Sequence, residues 1–565
     1  MTLNKRPFCA GCTPPALSRK FFISMWVVAI IAGLVQSIAE RFYIEPDGVN
    51  YLDIAYAYLR HDFHNAVNGY WSPLYSWLMA LAIVVTHTPA YWESTVLHSL
   101  NFLIYLLSLV CFAFFFRELT MLTSEQHGII ETKSLPRLAW NLFGYSLFVY
   151  ASLELIRLGT DTPDMLVSTA CFLATGILLR MRRGVTGWSA YVALGGVLAL
   201  GYLAKAVMFP ISFVFLFSSS FAAGNWRRTA PRAALALVTF LSVASPWLFS
   251  LSKAKGGFTF GDTGRLNYAW YVNGEGTPLH GIRRLAKTPP IEEFATPVAG
   301  TYPPWYDHSY WNEGLRPHFA WRRQLHAIST NLSEYFRLLS AEKGIAVGLL
   351  VLILFSSRPG AYGRSFMELW PFWLPAIATI GLYALVHVET RFLGAAVVVL
   401  WCSLFAAVRL PRSPWSEHVW ASCLIAVSVA FGVTLAAECI RDLFAIVRGQ
   451  ENVEYQVAQE LTRHGVQKGD SVAVLGHSNI ADYWAHLAQV RIVADVPAEG
   501  VSSFWDANVE ARRSILKLFS QSGAHALITR IPPPSSQTDW QSLGSTGYYI
   551  IVLPRSTALE EGHKQ

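Results

Sequence analysis

Apolar segments, most of them about long enough to cross a lipid bilayer, follow one another through most of this 565-residue chain. Hydrophobic residues make up 53% of the sequence and charged residues only 14%, a balance that is improbable for a water-soluble protein of this length. The sequence therefore predicts a mainly α-helical, polytopic membrane protein.

Lysine and arginine orient these segments, because basic loops stay on the cytoplasmic side. Arg19 and Lys20 place the N-terminus inside. The apolar segment 73–85 is short for a crossing, and leaving it out of the count keeps the loop after Arg117 inside. About eleven spans result, and everything after Arg441 is then extracytoplasmic. The predicted spans are 21–39, 95–116, 138–158, 165–179, 188–203, 210–222, 233–251, 344–355, 369–388, 392–408 and 419–437.

The same pattern divides the chain into three parts: a cytoplasmic tail (1–20), a transmembrane domain (21–440) and an extracytoplasmic domain (450–555). The transmembrane domain carries two outer loops, 41–94 and 252–343. In the last part, short apolar strands alternate with amphipathic stretches, which predicts a small α/β domain acting as a lid or docking module. The predicted strands are 471–476, 490–496, 525–530 and 548–553, and the predicted helices are 453–464, 480–487 and 509–519. The turn 476–479 matches no nucleotide-binding or hydrolase motif.

Two other functional classes find little support. The net charge of +7 comes from lysines and arginines in short loops between apolar spans, so nucleic acid is not an expected partner. Cys9 and Cys12 form a CxxC pair, but no second pair or nearby histidine completes a zinc site. A disordered cytoplasmic tail is the simpler interpretation of that pair.

The first outer loop begins with Pro46 and Asp47 and continues as an amphipathic helix. Its apolar residues recur at helical spacing, so we expect a helix lying flat on the bilayer. Asp47 either caps this helix or performs chemistry. Asp53 lies about 240° around the helix from Asp47, so the two are not a paired acid and base, and a solvated position is favoured for Asp53.

Ionisable residues gather at the outer ends of the predicted spans, which indicates one outward-facing site at the membrane boundary. These residues are Asp47, Asp53, Asp161, Asp164, Lys205, Glu389 and Arg391. Each has a structural alternative. Asp161 or Thr162 could cap a helix with Pro163 in its first turn. Lys205 could extend to lipid headgroups or bind an anionic phosphate, and Glu389 with Arg391 could form a salt bridge.

The second outer loop is rich in tryptophan and tyrosine beside polar residues, in the segments 260–274, which contains Arg265, and 301–314. Such segments suit stacking on sugar rings and equally suit an aromatic belt at the membrane interface.

Five motifs resemble the GT-C superfamily of integral-membrane glycosyltransferases, which includes the protein O-mannosyltransferases, the lipid A aminoarabinose transferase and the Rgt-type sugar transferases. The motifs are the PD at 46–47 before a helix with Tyr51, GYWSPLYSWL at 69–78, DTPDML at 161–166, GYLAKA at 201–206 and SPW at 245–247. Several relatives have His-Pro-Pro or Glu-Lys-Pro where this chain has Trp71, Ser72 and Pro73. A second catalytic carboxylate is therefore not supported there.

The resemblance implies roles for individual residues. Asp47 corresponds to the proposed general base, and Lys205 to the lysine that binds the donor phosphate. The second acidic loop of the family matches Asp161 and Asp164. Apart from the resemblance, Tyr51, Arg265, Glu389 and Arg391 are also predicted to bind substrate. Oxygen ligands suit magnesium or manganese, so an ion held by Asp47 with Asp161 or Asp164 is one alternative and no cofactor is the other.

The expected function is transfer of a sugar, with inversion, from a polyprenyl phosphate to a lipid, glycan or protein acceptor. It would take place on the outer, periplasmic face of the cytoplasmic membrane. One rival is a transporter or flippase, against which the sequence shows no repeated half and no matched pair of broken apolar segments. The other is a non-catalytic envelope assembly protein that acts through the C-terminal domain.

Overall fold

A computed structural model describes residues 16–129, 137–224, 226–276, 283–294, 299–312, 314–341, 343–355, 359–411, 413–476, 482–535 and 537–554. The CxxC pair of Cys9 and Cys12 and the turn residues 477–479 lie outside these ranges.

The predicted spans all form helices. The membrane part contains α1 (Ala16–Ala39), α4 (Pro73–Thr86), α5 (Glu93–Ile129), α6 (Arg137–Tyr150), α7 (Asp164–Arg182), α8 (Trp188–Ala204), α9 (Met208–Ala222), α10 (Trp226–Ala254), α15 (Lys343–Leu354), α16 (Pro359–Glu368), α17 (Trp370–Ala384), α18 (Gly394–Ala406) and α19 (Pro414–Val447). The predicted membrane helix bundle is confirmed. Six helices in the described part of the chain are long and apolar enough to cross a membrane, and others are shorter, so eleven spans stay a prediction.

Between α1 and α4, the first outer loop forms α2 (Pro46–Leu59) and α3 (Phe63–Ala66). Pro46 starts α2 because its fixed φ suits a first helical position and its missing N–H needs no partner there. Nine residues of α2 are buried, including polar Asn50 and Asp53, and the helix packs against α4. The prediction of a helix lying flat on the bilayer is therefore wrong, because neighbouring elements enclose α2.

The connection from α6 to α7 departs from regular helix. A π-helical turn (Ala151–Ile156) and a 3-10 turn (Leu158–Thr160) flank Arg157, whose φ is +67°, and Asp161 follows with φ +41°. Left-handed conformations cost energy in non-glycine residues and persist only where the surroundings enforce them. α7 begins at Asp164 after Pro163, with no side-chain cap. The predicted cap by Asp161 or Thr162, with Pro163 inside the first turn, is wrong.

The second outer loop contains α11 (Thr263–Asn267), α12 (Pro303–Tyr306), α13 (His308–Trp311) and α14 (Trp321–Ala341), with a π-helical turn at Tyr268–Asn273. It also supplies a hairpin of β1 (Arg283–Lys287) and β2 (Pro290–Glu293). The sequence patterns did not indicate this hairpin.

The predicted C-terminal α/β domain is confirmed, and the hairpin from the outer loop extends its sheet. The domain's own elements are α20 (Val453–Arg463), β3 (Ser471–Leu475), α21 (Tyr483–Ala488), β4 (Arg491–Val496), α22 (Val501–Trp505), α23 (Val509–Gln521), β5 (Ala524–Thr529), β6 (Gln541–Ser542) and β7 (Tyr549–Val552). The strand order is β1-β2-β4-β3-β5-β7-β6, with β3, β4 and β5 parallel at the centre. Phe294, Tyr302 and Trp311 of the outer loop share its core. The outer loop and the C-terminal domain thus form one packed unit.

Candidate active site

The Asp47 carboxylate lies in the first turn of α2 and is held by two distant side chains. One oxygen accepts a hydrogen bond from the Arg391 guanidinium at 2.8 Å, and the other accepts one from the Trp305 indole at 3.1 Å. The side chain is 13% exposed. The cap position belongs to Glu45, which forms no side-chain cap, so the interpretation of Asp47 as a helix cap is wrong.

Arg391 follows α17 in a short turn (Thr390–Leu393) and gathers several acidic groups. Its Nε donates to Glu389 at 2.7 Å, which confirms the predicted Glu389–Arg391 salt bridge. Its Nη1 lies 3.7 Å from Glu45 but has no hydrogen-bond partner. The Nη1 of Arg391 is therefore available to a further hydrogen-bond acceptor.

The carboxyl groups around Arg391 differ in their titration. Burial raises the pKa of Glu45 to about 8, although the Arg391 charge opposes this. Burial acts in the same direction on Glu389, but the hydrogen bond with His387 and the Arg391 charge outweigh it and lower that pKa to about 2. At neutral pH, Glu389 is therefore ionised, whereas Glu45 is mostly protonated.

Lys205 provides a second cation beside Arg391. Its ammonium donates to Asp164 at 2.6 Å and lies 3.8 Å from the centre of the Phe392 ring, against which the Arg391 guanidinium also packs at 5.4 Å. Thr162 donates to the other Asp164 oxygen at 2.9 Å. The alternative in which Lys205 extends to lipid headgroups is wrong, because its ammonium is turned inward to a buried carboxylate.

Asp161 and Tyr51 lie behind this group of charges. Asp161 is buried, accepts a hydrogen bond from Asn101 at 2.8 Å, and burial raises its pKa to about 6. It packs directly under α2, where a Cβ at Gly48 would come within 2.6 Å of the Asp161 Cβ. The Tyr51 ring is buried between Trp71 and Tyr75. Substrate contact by either residue stays a prediction.

Arg265 belongs to a different network. Its guanidinium donates to the Leu315 carbonyl at 2.9 Å and lies 3.6 Å from Asp262. Asp262 in turn lies 3.3 Å from Lys255. These contacts tie parts of the second outer loop to one another, and they do not include Asp47 or Arg391.

A polar cavity and an apolar cleft are both lined by Arg391. A polar cavity of about 330 Å³ is lined by Glu45, Glu154, Leu155, Ile156, Arg157, Thr160, Glu334, Arg337, Leu338, Val388, Glu389, Thr390 and Arg391. A narrow, mostly apolar cleft runs between α7, α9, α17 and α18 from Asp164 and Arg391 to Thr175 and Val399. The sequence analysis missed this cleft, and it also missed Glu45, Glu154 and Trp305. No local pattern could have found them, because their neighbours come from remote parts of the chain.

The same aromatic segment that supplies Trp305 also holds a buried histidine. His308 is fully buried, stacks on Tyr70 at 4.0 Å and packs against the Trp305 ring. Neither ring nitrogen has a hydrogen-bond partner, and burial lowers the pKa of His308 to about 3. The imidazole is therefore neutral and acts as a packing group behind Trp305.

Asp53 is buried, so the prediction of a solvated position is wrong. Its carboxylate accepts hydrogen bonds from the Thr301 amide at 2.6 Å and hydroxyl at 2.9 Å, and lies 2.7 Å from His486 of the C-terminal domain. His486 also lies 3.4 Å from Glu93. Burial alone would lower the pKa of His486, but the Glu93 charge and the Asp53 hydrogen bond raise it to about 10. A charged imidazole thus docks the C-terminal domain onto α2.

Two of the predicted metal ligands, Asp47 and Asp164, have no carboxylate oxygen without a partner in this structure. Both oxygens of Asp47 are bonded to Trp305 and Arg391, and both oxygens of Asp164 are bonded to Lys205 and Thr162. No group of three or more acidic, histidine or cysteine residues within the described ranges could hold a metal ion. An ion held by Asp47 with Asp161 or Asp164 stays a prediction.

Comparison with known proteins gives matches of structure alone, since no protein-family model and no curated protein sequence matches this chain. The apo oligosaccharyltransferase from Archaeoglobus fulgidus superposes with a TM-score of 0.52 at 12% identity, over 91% of this chain and 70% of that one. The apo ArnT structure from Cupriavidus metallidurans aligns over 95% of this chain and 98% of that one, at 12% identity and a TM-score of 0.43. The first similarity is strong enough to establish a shared fold.

Proposed function

We propose that this chain, whose fold is that of the GT-C membrane glycosyltransferases, transfers a sugar from a polyprenyl-phosphate donor to an acceptor at the outer face of the membrane. One observation carries the proposal. Arg391 lies where an apolar cleft between membrane helices meets a polar cavity, and it is bonded there to Asp47. A lipid chain, a phosphate and a reacting hydroxyl each find a suitable environment at this junction.

The cleft suits the lipid part of the donor. It is lined along α7 from Asp164 to Thr175, which is about 16 Å at 1.5 Å per residue. Most of its other walls are apolar side chains of α9, α17 and α18. A chain lying in this cleft would place its terminal phosphate between Lys205 and Arg391. Lys205 and Arg391, which both pack against the Phe392 ring, would stabilise the phosphate charge in a water-poor site.

Asp47 would then act as the general base. The acceptor hydroxyl attacks the anomeric carbon and transfers its proton to Asp47, while the bond from that carbon to the phosphate oxygen breaks. The electron pair leaves with the polyprenyl phosphate, which Lys205 and Arg391 hold. Attack opposite the leaving group inverts the anomeric centre. In the absence of donor, Arg391 binds Asp47, so we expect the phosphate to compete for the guanidinium and release the carboxylate.

Asp47→Asn tests this mechanism. Asparagine can still accept the Trp305 hydrogen bond, but it cannot take a proton. Proton transfer by a positioned group contributes about a hundredfold or more, so transfer should fall by at least about that factor. The measurement is mass-spectrometric profiling of polyprenyl-phosphate sugars and envelope glycans in a deletion strain that carries the variant. The donor should accumulate and the product should be missing.

Asp62→Asn is the matched control, because Asp62 caps α3 in the same loop and asparagine keeps that cap. This variant should restore transfer fully. If a folded Asp47→Asn protein also restored it, Asp47 would be no more than a partner of Arg391, and the catalytic role would move elsewhere.

A further inference from the structure

The polar cavity beside Arg391 has an unusual balance of charges. Four glutamates and three arginines line it. Each guanidinium group has a carboxylate partner: Arg157 with Glu40 at 2.5 Å, Arg337 with Glu334 at 2.8 Å, and Arg391 with Glu389 and Asp47, although the Nη1 of Arg391 is buried without a hydrogen bond. The unused hydrogen-bonding capacity of the walls therefore lies mainly on carboxylates.

Glu154 is the clearest of these groups. It lies in the π-helical turn after α6, and its Oε2 atom is buried without a hydrogen-bond partner. The Oε2 of Glu45 is likewise without a hydrogen bond, although it lies near Arg391. Carboxyl oxygens accept hydrogen bonds from hydroxyl groups. Because Glu45 is mostly protonated at neutral pH, the other three glutamates balance the three arginines, and the cavity favours a neutral, hydroxyl-bearing group.

One wall of the cavity is α14, through Glu334, Arg337 and Leu338. A second face of α14 is fixed to the end of α17, because Gln324, Asn331 and Tyr335 donate to backbone carbonyls there. The position of α14 at the edge of the cavity is therefore built into the fold.

A third face of α14 exposes large apolar side chains at helical spacing. These are Trp321, Leu325, Leu332, Phe336 and Leu339, of which Phe336 is 71% exposed. α14 leads directly to α15, a predicted span that exposes Val347, Leu350 and Leu354. Because this exposed apolar face continues into a predicted span, it is suited to contact lipid, which would place α14 at the outer leaflet although its sequence belongs to an outer loop.

We propose that the polar cavity walled by α14 binds the uncharged, hydroxyl-bearing head group of a membrane amphiphile. This amphiphile is the acceptor, an identification that rests on the proposed function, and its head group reaches Asp47 from the outer leaflet. The cavity shares Glu389 and Arg391 with the Asp47 network, so the reacting hydroxyl would lie beside the proposed base. An acceptor that presents a phosphate in this cavity is disfavoured.

The test uses the full chain in nanodiscs of phosphatidylethanolamine and phosphatidylglycerol. The probe is an octyl glucoside with a photoreactive diazirine in its alkyl chain, and labelled peptides are identified by mass spectrometry. We expect labelling of the segments 154–160 and 332–339 that unlabelled octyl glucoside displaces. Octyl glucuronide, which adds one negative charge, and methyl glucoside, which lacks the chain, should each compete at least about tenfold more weakly, a difference of about 1.4 kcal/mol.

Two variants separate the site from general insertion into lipid. Glu154→Gln keeps the side-chain shape and should reduce the displaceable labelling at least about fivefold. Glu460→Gln, in the C-terminal domain and paired with Arg463, should leave it unchanged. If Glu154→Gln does not fold, the three competitors compared on the wild-type chain still decide the question.

Three outcomes would overturn the proposal. The first is equal competition by the glucoside and the glucuronide, and the second is equal competition by methyl glucoside. The third is loss of the label on adding undecaprenyl phosphate, which would assign the cavity to the donor. Because the labelling measures binding and not transfer, a failure of the transferase mechanism would be distinguishable from a failure of this site.

Discussion

Arg391 is the cation that contacts most of the acidic groups in the candidate site. It is bonded to Asp47 and Glu389 and lies near Glu45, so one cation faces three carboxyl groups. Protonation of Glu45, the His387 hydrogen bond to Glu389 and the nearby Lys205 relieve this excess of negative charge. A site with this balance gains by binding a neutral hydrogen-bond donor in the cavity, and a phosphate only where Lys205 adds its charge.

Lys205→Ala tests the proposed phosphate contact. Loss of a charge-assisted hydrogen bond costs about 1.5 to 3 kcal/mol, so binding of undecaprenyl phosphate should weaken by about ten to a hundredfold. Lys205→Arg should retain most of the affinity. The measurement is a titration of undecaprenyl phosphate into the purified chain. Lys255→Ala is the control, because Lys255 is also paired with a buried aspartate, Asp262. An affinity unchanged in Lys205→Ala would exclude this role.

His308→Phe should raise the thermal unfolding midpoint. Phenylalanine keeps the stacking on Tyr70 and removes a buried imidazole whose nitrogens are unpaired, a defect that costs about 1 to 3 kcal/mol. Because the folded-state pKa of His308 is lowered to about 3, the unfolded chain binds more protons between pH 6.5 and pH 3, and the wild type loses stability as the pH falls through this range. The advantage of the variant should therefore grow on acidification. The exposed His64→Phe is the control, and a variant that melts below the wild type at pH 5 would contradict the argument.

At the scale of elements, α2 connects the candidate site to the C-terminal domain. Its first turn carries Asp47, and its second carries Asp53, which binds Thr301 and His486. The segment after Thr301 supplies Trp305, whose indole donates a hydrogen bond to Asp47 in the first turn of α2. The C-terminal domain therefore helps to set the position of the proposed base, a role that fits docking better than an open lid.

His486→Gln should loosen this connection. Removing one partner of a buried ion pair costs about 3 to 5 kcal/mol, because the remaining charges are left unpaired. The folded-state pKa of His486 is raised to about 10, so its stabilising contribution is complete below pH 6.5 and declines as the pH rises towards 10. Thermal unfolding between pH 6.5 and 10 should show this loss in the wild type and a flatter profile in the variant.

His464→Gln is the control, since His464 bonds only to its own helix carbonyl among the described contacts. Equal pH profiles for wild type and His486→Gln would show that the imidazole is not charged in the interface.

At the scale of the whole molecule, the contact between His486 and Asp53 places the C-terminal domain and the first outer loop on one side of the membrane. The charge pattern predicts that this side is extracytoplasmic. Alkaline phosphatase fused after Gln565 should then be active, whereas a green fluorescent protein at the same position should be dark. Fusions after Arg183, in a predicted cytoplasmic loop, should show the reverse. A fluorescent fusion after Gln565 would mean that the span count is wrong by one.

Local sequence was sufficient for the features that depend on neighbouring residues. Apolar segments predicted the membrane helices, and short alternating strands predicted the C-terminal sheet, because periodicity and hydrophobicity act within one element. The Glu389–Arg391 salt bridge was predictable for the same reason, since the two residues are only two positions apart. The helix start at Pro46 also follows from local geometry alone.

Only the tertiary structure decided which of these elements meet. Asp47 and Arg391 are 344 positions apart, and Asp53 and His486 are 433 apart. Whether a carboxylate caps a helix, faces water or pairs with a cation depends on what packs over it, and no local pattern contains that information. The hairpin of β1 and β2 joined the distant C-terminal sheet for a similar reason, because strand edges pair with whatever edge is close in space. The chemistry of the candidate site was therefore visible in the sequence as residue types, but its pairing arose from packing.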